Sequence, residues 1–268
     1  MMSKRIYSIV GHFGSGKTEF AVNYVLDLRK QKNKVAILDM DIANPYFRSR
    51  ERQDLMRERD IDIHFNTYGY DIAEDLPAIT ATVRAPLENK EYSTVVDVGG
   101  NDSGARVINQ FQKYFLAEDA VMYIVLNLNR PDTETEELCI EQIKSIELET
   151  GVKIEGIINN THMLMETCAD DILDGYEACL GVSKTLGIPV ICSTCVAPLL
   201  STLEDAARAK NINTAIVDIP GGDILEVTDG VNCANISGNT NNTSNANDTM
   251  RIYPLTLQMR PSWLDVKL

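Results

Sequence analysis

Short runs of apolar, largely β-branched residues recur along the chain at Arg5 to Val10, Val35 to Asp39, Thr94 to Val98, Ala120 to Leu128, Ile154 to Asn159 and Ile188 to Cys192. Between them lie longer stretches in which apolar positions return every three or four residues. Phe20, Ala21, Tyr24, Val25 and Leu28 form such a series, the mark of a helix with one buried face. Strands that read as near-continuous apolar runs are buried on both faces. The alternation therefore predicts an α/β fold, a doubly wound and mostly parallel sheet flanked by helices.

Helix ends are also marked. Pro131 opens a stretch from Asp132 to Thr150 whose first turns hold Asp132, Glu134, Glu136 and Glu137, and Gly151 follows it; acids favour a helix N-terminus and glycine its end. Asp170 to Leu186, followed by Gly187, reads the same way. From Asn232 to Thr249 the composition turns to Asn, Ser, Thr, Gly and Ala, with too little apolar surface to offset the entropy of ordering. The reading divides the chain into a main domain over 1–222 and an extension over 223–268 with a mobile loop at 232–249. Beyond the loop, Tyr253, Leu255, Leu257 and Met259 alternate, which predicts a strand pairing with Ile224 to Val227 as an edge hairpin, a small C-terminal β extension.

Charge narrows the partners. The 268 residues carry a formal net charge of −14, and uncompensated carboxylates repel phosphate backbones and anionic lipid, so neither nucleic acid nor membrane is expected. No apolar run approaches a membrane span of about 18 residues, and Met1 to Arg5 leads straight into the first strand. A cytoplasmic protein is expected. Six cysteines scattered over positions 139 to 233 do not form the framework of a small secreted protein, so reduced thiols are expected as well. In that setting the Asn-x-Ser/Thr sequons near the tail carry no glycosylation meaning.

The chemistry is concentrated after the first strand. Residues 11 to 18 read Gly-His-Phe-Gly-Ser-Gly-Lys-Thr, the spacing of a phosphate loop. Successive backbone N–H groups must wrap a polyphosphate, so Gly11, Gly14 and Gly16 remove side chains where the chain turns and approaches closely. Lys17 supplies charge to the β- and γ-phosphates, and Thr18 a hydroxyl to Mg²⁺. Ser15 and Glu19 complete the nucleotide-binding set at the start of the helix, whose dipole favours anions. Two further strands end in acids, Asp39-Met40-Asp41 and Asp97-Val98-Gly99-Gly100. In a doubly wound sheet ligands bind at the carboxyl ends of strands, so these acids fall on the loop's edge. Asp97 fits a second-sphere Mg²⁺ ligand, and the Gly100 amide could face a γ-phosphate.

The Lys-Val-Ala-Ile-Leu-Asp-Met-Asp-Ile run at 34 to 42, Asp-Val-Gly-Gly at 97 to 100 and Gly-Ile-Ile-Asn-Asn-Thr at 156 to 161 resemble the SIMIBI class of phosphate-loop NTPases, within it the CobQ, CobB, MinD and ParA nucleotide-binding group. The resemblance covers about 200 residues, up to near Pro198. It implies that Asp39 helps hold Mg²⁺, that Asp41 positions water and that Asp97 is the acid of the later motif. It also implies that Asn160 contacts adenine and that the Val196-Ala197-Pro198 loop walls the base site. One position departs. MinD, ParA and the nitrogenase iron protein carry an extra lysine directly after the first loop glycine, where His12 stands here. An imidazole, largely neutral at pH 7, is not a permanent cation. The nucleotide-sandwich dimer loses its support, and homodimerisation itself stays open. A space-filling role for His12 is an equal alternative.

The base can be argued from hydrogen-bonding capacity. Guanine donors are commonly met by a carboxylate three residues after an Asn or Thr, and counting from Asn159 and Asn160 gives His162 and Met163. Neither is an acceptor carboxylate, so ATP is favoured. Cys192-Ser-Thr-Cys195 is an isolated C-x-x-C, read as buried packing sooner than as a metal site. Arg48, Arg50 and Arg52 alternate with Glu51, Asp54, Glu58 and Asp60 nearby, read as a solvated, ion-paired face ahead of an anion clamp. The leading expectation is a slow Mg²⁺-dependent ATPase that acts as a switch for an unidentified protein or small-molecule partner, with Lys17 and Asp41 as its catalytic groups. The alternatives are ATP-dependent synthesis on a small carboxylic acid, or metal-centre maturation.

Overall fold

The computed structural model describes residues 4–41, 53–65, 83–100, 108–218 and 249–258. Nine strands form one sheet in the order β3-β2-β4-β1-β5-β6-β7-β9-β8. They are β1 (Ile6–Val10), β2 (Val35–Met40), β3 (Ile61–Phe65), β4 (Ser93–Val98), β5 (Ala120–Leu126), β6 (Gly156–Asn159), β7 (Val190–Val196), β8 (Asn213–Ile216) and β9 (Thr249–Leu255). Every neighbouring pair is parallel. Helices α1 (Lys17–Gln31), α2 (Gln53–Glu58), α3 (Gln112–Phe115), α4 (Glu136–Thr150), α5 (Ala169–Leu186) and α6 (Leu200–Ala209) connect or cover the strands. No described helix is long and apolar enough to cross a membrane.

Alternation along the central strands builds a core on each face of the sheet, and a third cluster lies under α5 and α6. Ile6, Val10, Leu38, Met40, Val96 and Val98 face one side with Cys139 and Ile143 of α4. Tyr7, Ile9, Val35, Ile37 and Val95 face the other with Phe20, Tyr24 and Leu28 of α1. Successive strand residues point to opposite faces, so Asp39 and Asp97, two positions after Ile37 and Val95, belong to the α1 side. They also stand opposite each other in register on β2 and β4. Chain direction reverses its march at β1, with β4 on one side and β5 on the other. That crevice is where doubly wound sheets bind ligands.

Two details differ from expectation. Pro131 opens a short 3₁₀ turn, Pro131–Thr133, and α4 starts afresh after Thr135, whose hydroxyl accepts the Leu138 N–H at 3.3 Å. A β-branched hydroxyl residue with extended backbone is a good N-cap, and it overrides the proline as the start signal. The C-terminal strand is no edge hairpin: β9 lies between β7 and β8 and both its borders are taken. Its expected partner at 224–227, and most of the Asn-rich segment at 232–249, lie outside the described residues. The arrangement accommodates Pro254 because β8 pairs only with Thr249 to Ile252, leaving proline where one ladder has already ended.

β9 also reaches α1. Tyr253 packs edge-on against Phe20, ring centres 5.7 Å apart, and donates its hydroxyl to Asp27 at 2.6 Å. Past the strand, Asn23 donates to the Thr256 carbonyl and accepts from the Thr256 N–H, both at 2.9 Å. Glu19 accepts from the Gln258 N–H at 2.6 Å.

Candidate functional site

The loop between β1 and α1 is held from several strands. Gly16 has φ +84°, and a Cβ there would stand 2.2 Å from Asn160 Nδ2, so only glycine allows both the turn and the approach. Asn160, just past β6, donates to the Ser15 carbonyl at 2.7 Å and accepts from the Thr194 hydroxyl of β7. Gly100 lets the end of β4 close on the loop, since a Cβ there would lie 2.5 Å from the Gly11 carbonyl. Lys17 and Thr18, at the first turn of α1, are both buried.

Around them the acids converge. Lys17 Nζ lies 3.3 Å from Asp41 Oδ2, with side chains 5% and 4% exposed. Asp39 Oδ1 accepts the Asp41 N–H at 3.1 Å, turning the chain as β2 ends. Asp97 is completely buried, and neither carboxylate oxygen meets a donor in good hydrogen-bond geometry. Burial pushes its carboxyl up to about 7, opposed by Lys17 and the Thr18 hydroxyl and reinforced by Asp39 and Asp41. A desolvated carboxylate beside a hydroxyl and a second carboxylate is an all-oxygen set that suits Mg²⁺. No cluster of three His, Cys, Asp or Glu metal ligands forms among the described residues. A cation here would therefore be shared with phosphate and water, as is usual for Mg²⁺.

A family described as the CobQ/CobB/MinD/ParA nucleotide binding domain matches residues 11–172. The chain belongs to this family. No curated protein matches it in sequence. Among solved structures it is similar to chloroplast FtsY from Physcomitrella patens, at TM-score 0.49 and 18% identity over 72% of this chain and 59% of that one. It is also similar to the signal recognition particle receptor FtsY from Elizabethkingia anophelis, at TM-score 0.46 and 16% identity, covering 72% of this chain and 59% of that one. The same receptor in complex with GDP gives the same score and identity. The chain spans under two thirds of each of these proteins.

The structure of this CobQ/CobB/MinD/ParA-type domain brings Gly11, Gly14, Ser15, Gly16, Lys17, Thr18, Asp39, Asp41 and Asp97 to one edge, because β1, β2 and β4 all end there. Glu19 is turned to the tail, where Gln258 and Asn23 occupy Oε1. Pro198 sits exposed in the 3₁₀ turn Ala197–Leu199 after β7. His12 lies 3.5 Å from Asp132 and 3.2 Å from the Phe13 carbonyl. Arg48, Arg50 and Arg52 fall outside the described residues.

Cys192 and Cys195, three apart on β7, fall on opposite faces of the strand. Cys192 packs with the α1 side and Cys195 with α5 and α6. Burial raises both thiols, so the C-x-x-C is packing.

Several contributors escape sequence reasoning. Arg130 Nε donates to the Gly14 carbonyl at 3.0 Å, with Asn127 Nδ2 at 3.5 Å from the same oxygen. Asn127 is wholly buried and accepts from the His162 N–H at 3.2 Å. His162 Nδ1 accepts from Leu164 N at 3.3 Å, which leaves Nε2 as the protonated nitrogen, 3.2 Å from where a Gly16 Cβ would stand. Burial, with help from the Arg130 charge, holds this imidazole down to about 4. The available signal for Arg130 was its place: a cation directly after the strand beside β1 and just before a helix start.

Proposed function

We propose that this nucleotide-binding protein is a Mg²⁺-dependent ATPase that acts as a nucleotide-dependent switch for a partner. The observation that carries this reading is the buried Lys17–Asp41 pair at 3.3 Å. The ammonium that would meet the β- and γ-phosphates is also the partner of Asp41, just past the end of β2. A phosphate drawing on Lys17 alters this contact of Asp41, so phosphate occupancy and the position of Asp41 are coupled.

In hydrolysis, water attacks the γ-phosphorus, the bond to the β–γ bridging oxygen breaks, and ADP leaves with inorganic phosphate. Lys17 and the loop N–H groups stabilise charge on the transferring group. Thr18, Asp39 and Asp97 are the residues that would hold Mg²⁺, which when bound neutralises phosphate charge. Asp41 orients the attacking water. The absence of a carboxylate at His162 or Met163 supports adenine over guanine.

Calorimetric titration with ATP and GTP, followed by phosphate-release assays with and without Mg²⁺, tests the proposal. Tighter binding of ATP and Mg²⁺-dependent phosphate release are expected. Equal binding of both nucleotides, or release that ignores Mg²⁺, would overturn it.

A further inference from the structure

The amide of Asn160 is engaged by the protein itself. Its Nδ2 donates to the Ser15 carbonyl at 2.7 Å, and its Oδ1 accepts from the Thr194 hydroxyl. A carbonyl can only accept, so the nitrogen must face Ser15. That leaves Oδ1 for Thr194, whose hydroxyl fixes the amide's orientation. All three groups are buried: Ser15 is 1% exposed, Asn160 5% and Thr194 3%.

In a planar trans peptide the C=O and the following N–H point in opposite directions. Asn160 holds the Ser15 carbonyl toward itself, which turns the Gly16 N–H away from Asn160, the direction in which the phosphate-loop reading places the ligand. The close approach behind this, 2.2 Å from Asn160 Nδ2 to a Cβ at position 16, is possible only because residue 16 is glycine. β6 and β7 thus set the direction of a main-chain donor in the loop after β1, although Thr194 is 178 residues and Asn160 144 residues from Gly16.

We infer that Asn160, oriented by Thr194, is a positioning residue for the phosphate loop, acting on the phosphate half of the ligand. The inference rests on the nucleotide-binding reading of the loop but not on hydrolysis. It separates cleanly from a contact with the base, because a base contact cannot affect a ligand that has no base.

The test is titration of the full chain with Mg²⁺-ATP and with Mg²⁺-tripolyphosphate. Asn160→Ala is expected to weaken both by the same factor, roughly tenfold or more, as befits a buried carbonyl that loses its partner. Thr194→Val should weaken both in the same ratio, and Thr194→Ser should restore them, because only the hydroxyl is at issue. In ¹⁵N spectra the Gly16 amide should shift in Thr194→Val and return in Thr194→Ser, a signature that general loosening of the fold would not give. Loss of ATP binding with tripolyphosphate binding intact would overturn the inference in favour of a base contact. Unchanged affinities in Thr194→Val would overturn it too. Failure of the unmodified protein to bind either ligand would instead refute the nucleotide site, and binding without turnover would refute only the ATPase proposal.

Discussion

Lys17 and Asp41 form a nearly solvent-free ion pair at 3.3 Å, with Asp39 and Asp97 on the strands beside it. One ammonium therefore faces three carboxylates, and its removal takes a buried positive charge from among them. Lys17→Ala should abolish nucleotide binding and also destabilise the fold by about 3 kcal/mol, the usual cost of breaking a buried pair. Asp41→Asn should keep nucleotide affinity at or above the starting value, because phosphate no longer competes for Lys17, while turnover falls by roughly tenfold or more. Binding and phosphate release measured on both variants check this, and unchanged turnover in Asp41→Asn would remove Asp41 from the water-positioning role.

The pH response of Asp97 has a definite sign. Its carboxyl is raised by burial to about 7, above the ordinary ~3.9 of an aspartate, so folding takes up a proton there. The folded state gains most below the ordinary value, and that gain is lost as pH rises toward 7. Asp97→Asn cannot ionise, so its stability relative to the parent chain should increase between pH 5 and pH 8 in urea denaturation. A difference that shrinks over that range would contradict a raised carboxyl.

His162 behaves in the opposite sense. Burial and the Arg130 charge lower it to about 4, so the neutral ring's contribution is complete above the ordinary ~6.5 and is lost as pH falls toward 4. Arg130→Ala removes the lesser cause. The imidazole titration followed by NMR should then move upward yet stay below the ordinary value, and an unmoved titration would place the guanidinium away from the ring.

Asn23 ties α1 to the chain's last described residues through paired hydrogen bonds with Thr256. Asn23→Leu keeps the side chain's size but strands a part-buried N–H and C=O, at a cost of about 1–3 kcal/mol. Chemical denaturation should show that loss, with weaker nucleotide binding because Lys17 and Thr18 stand on the same helix. Parent-like stability would mean the tail is not anchored there.

The gathering of the loop and the acids at one sheet edge is legible in the sequence because its determinants are local. Three glycines, a lysine and a threonine follow one apolar strand, and acids stand at the tips of two others. β3 was missed because its Ile-Asp-Ile-His-Phe run follows a stretch dense in charge, and β8 because a half-exposed edge strand such as Asn-Thr-Ala-Ile has no apolar block. The remaining misses are pairings across long separations. Nothing in the periodicity near Asn23 points to Thr256, 233 residues on, nor does the sequence around Gly14 point to Arg130. Alternation near the tail foretold a strand but could not say which neighbours would flank it.

The placement of β9 has a consequence for biosynthesis. β8 joins the rest of the sheet through a strand translated after it, and Phe20 receives Tyr253 as its cover. A nascent chain leaving the ribosome thus carries α1 with an uncovered aromatic flank until β9 has been made. A chain lacking β9 would leave an adhesive surface for chaperones to shield, where a self-sufficient shorter domain would have been left had β9 been a mere appendage.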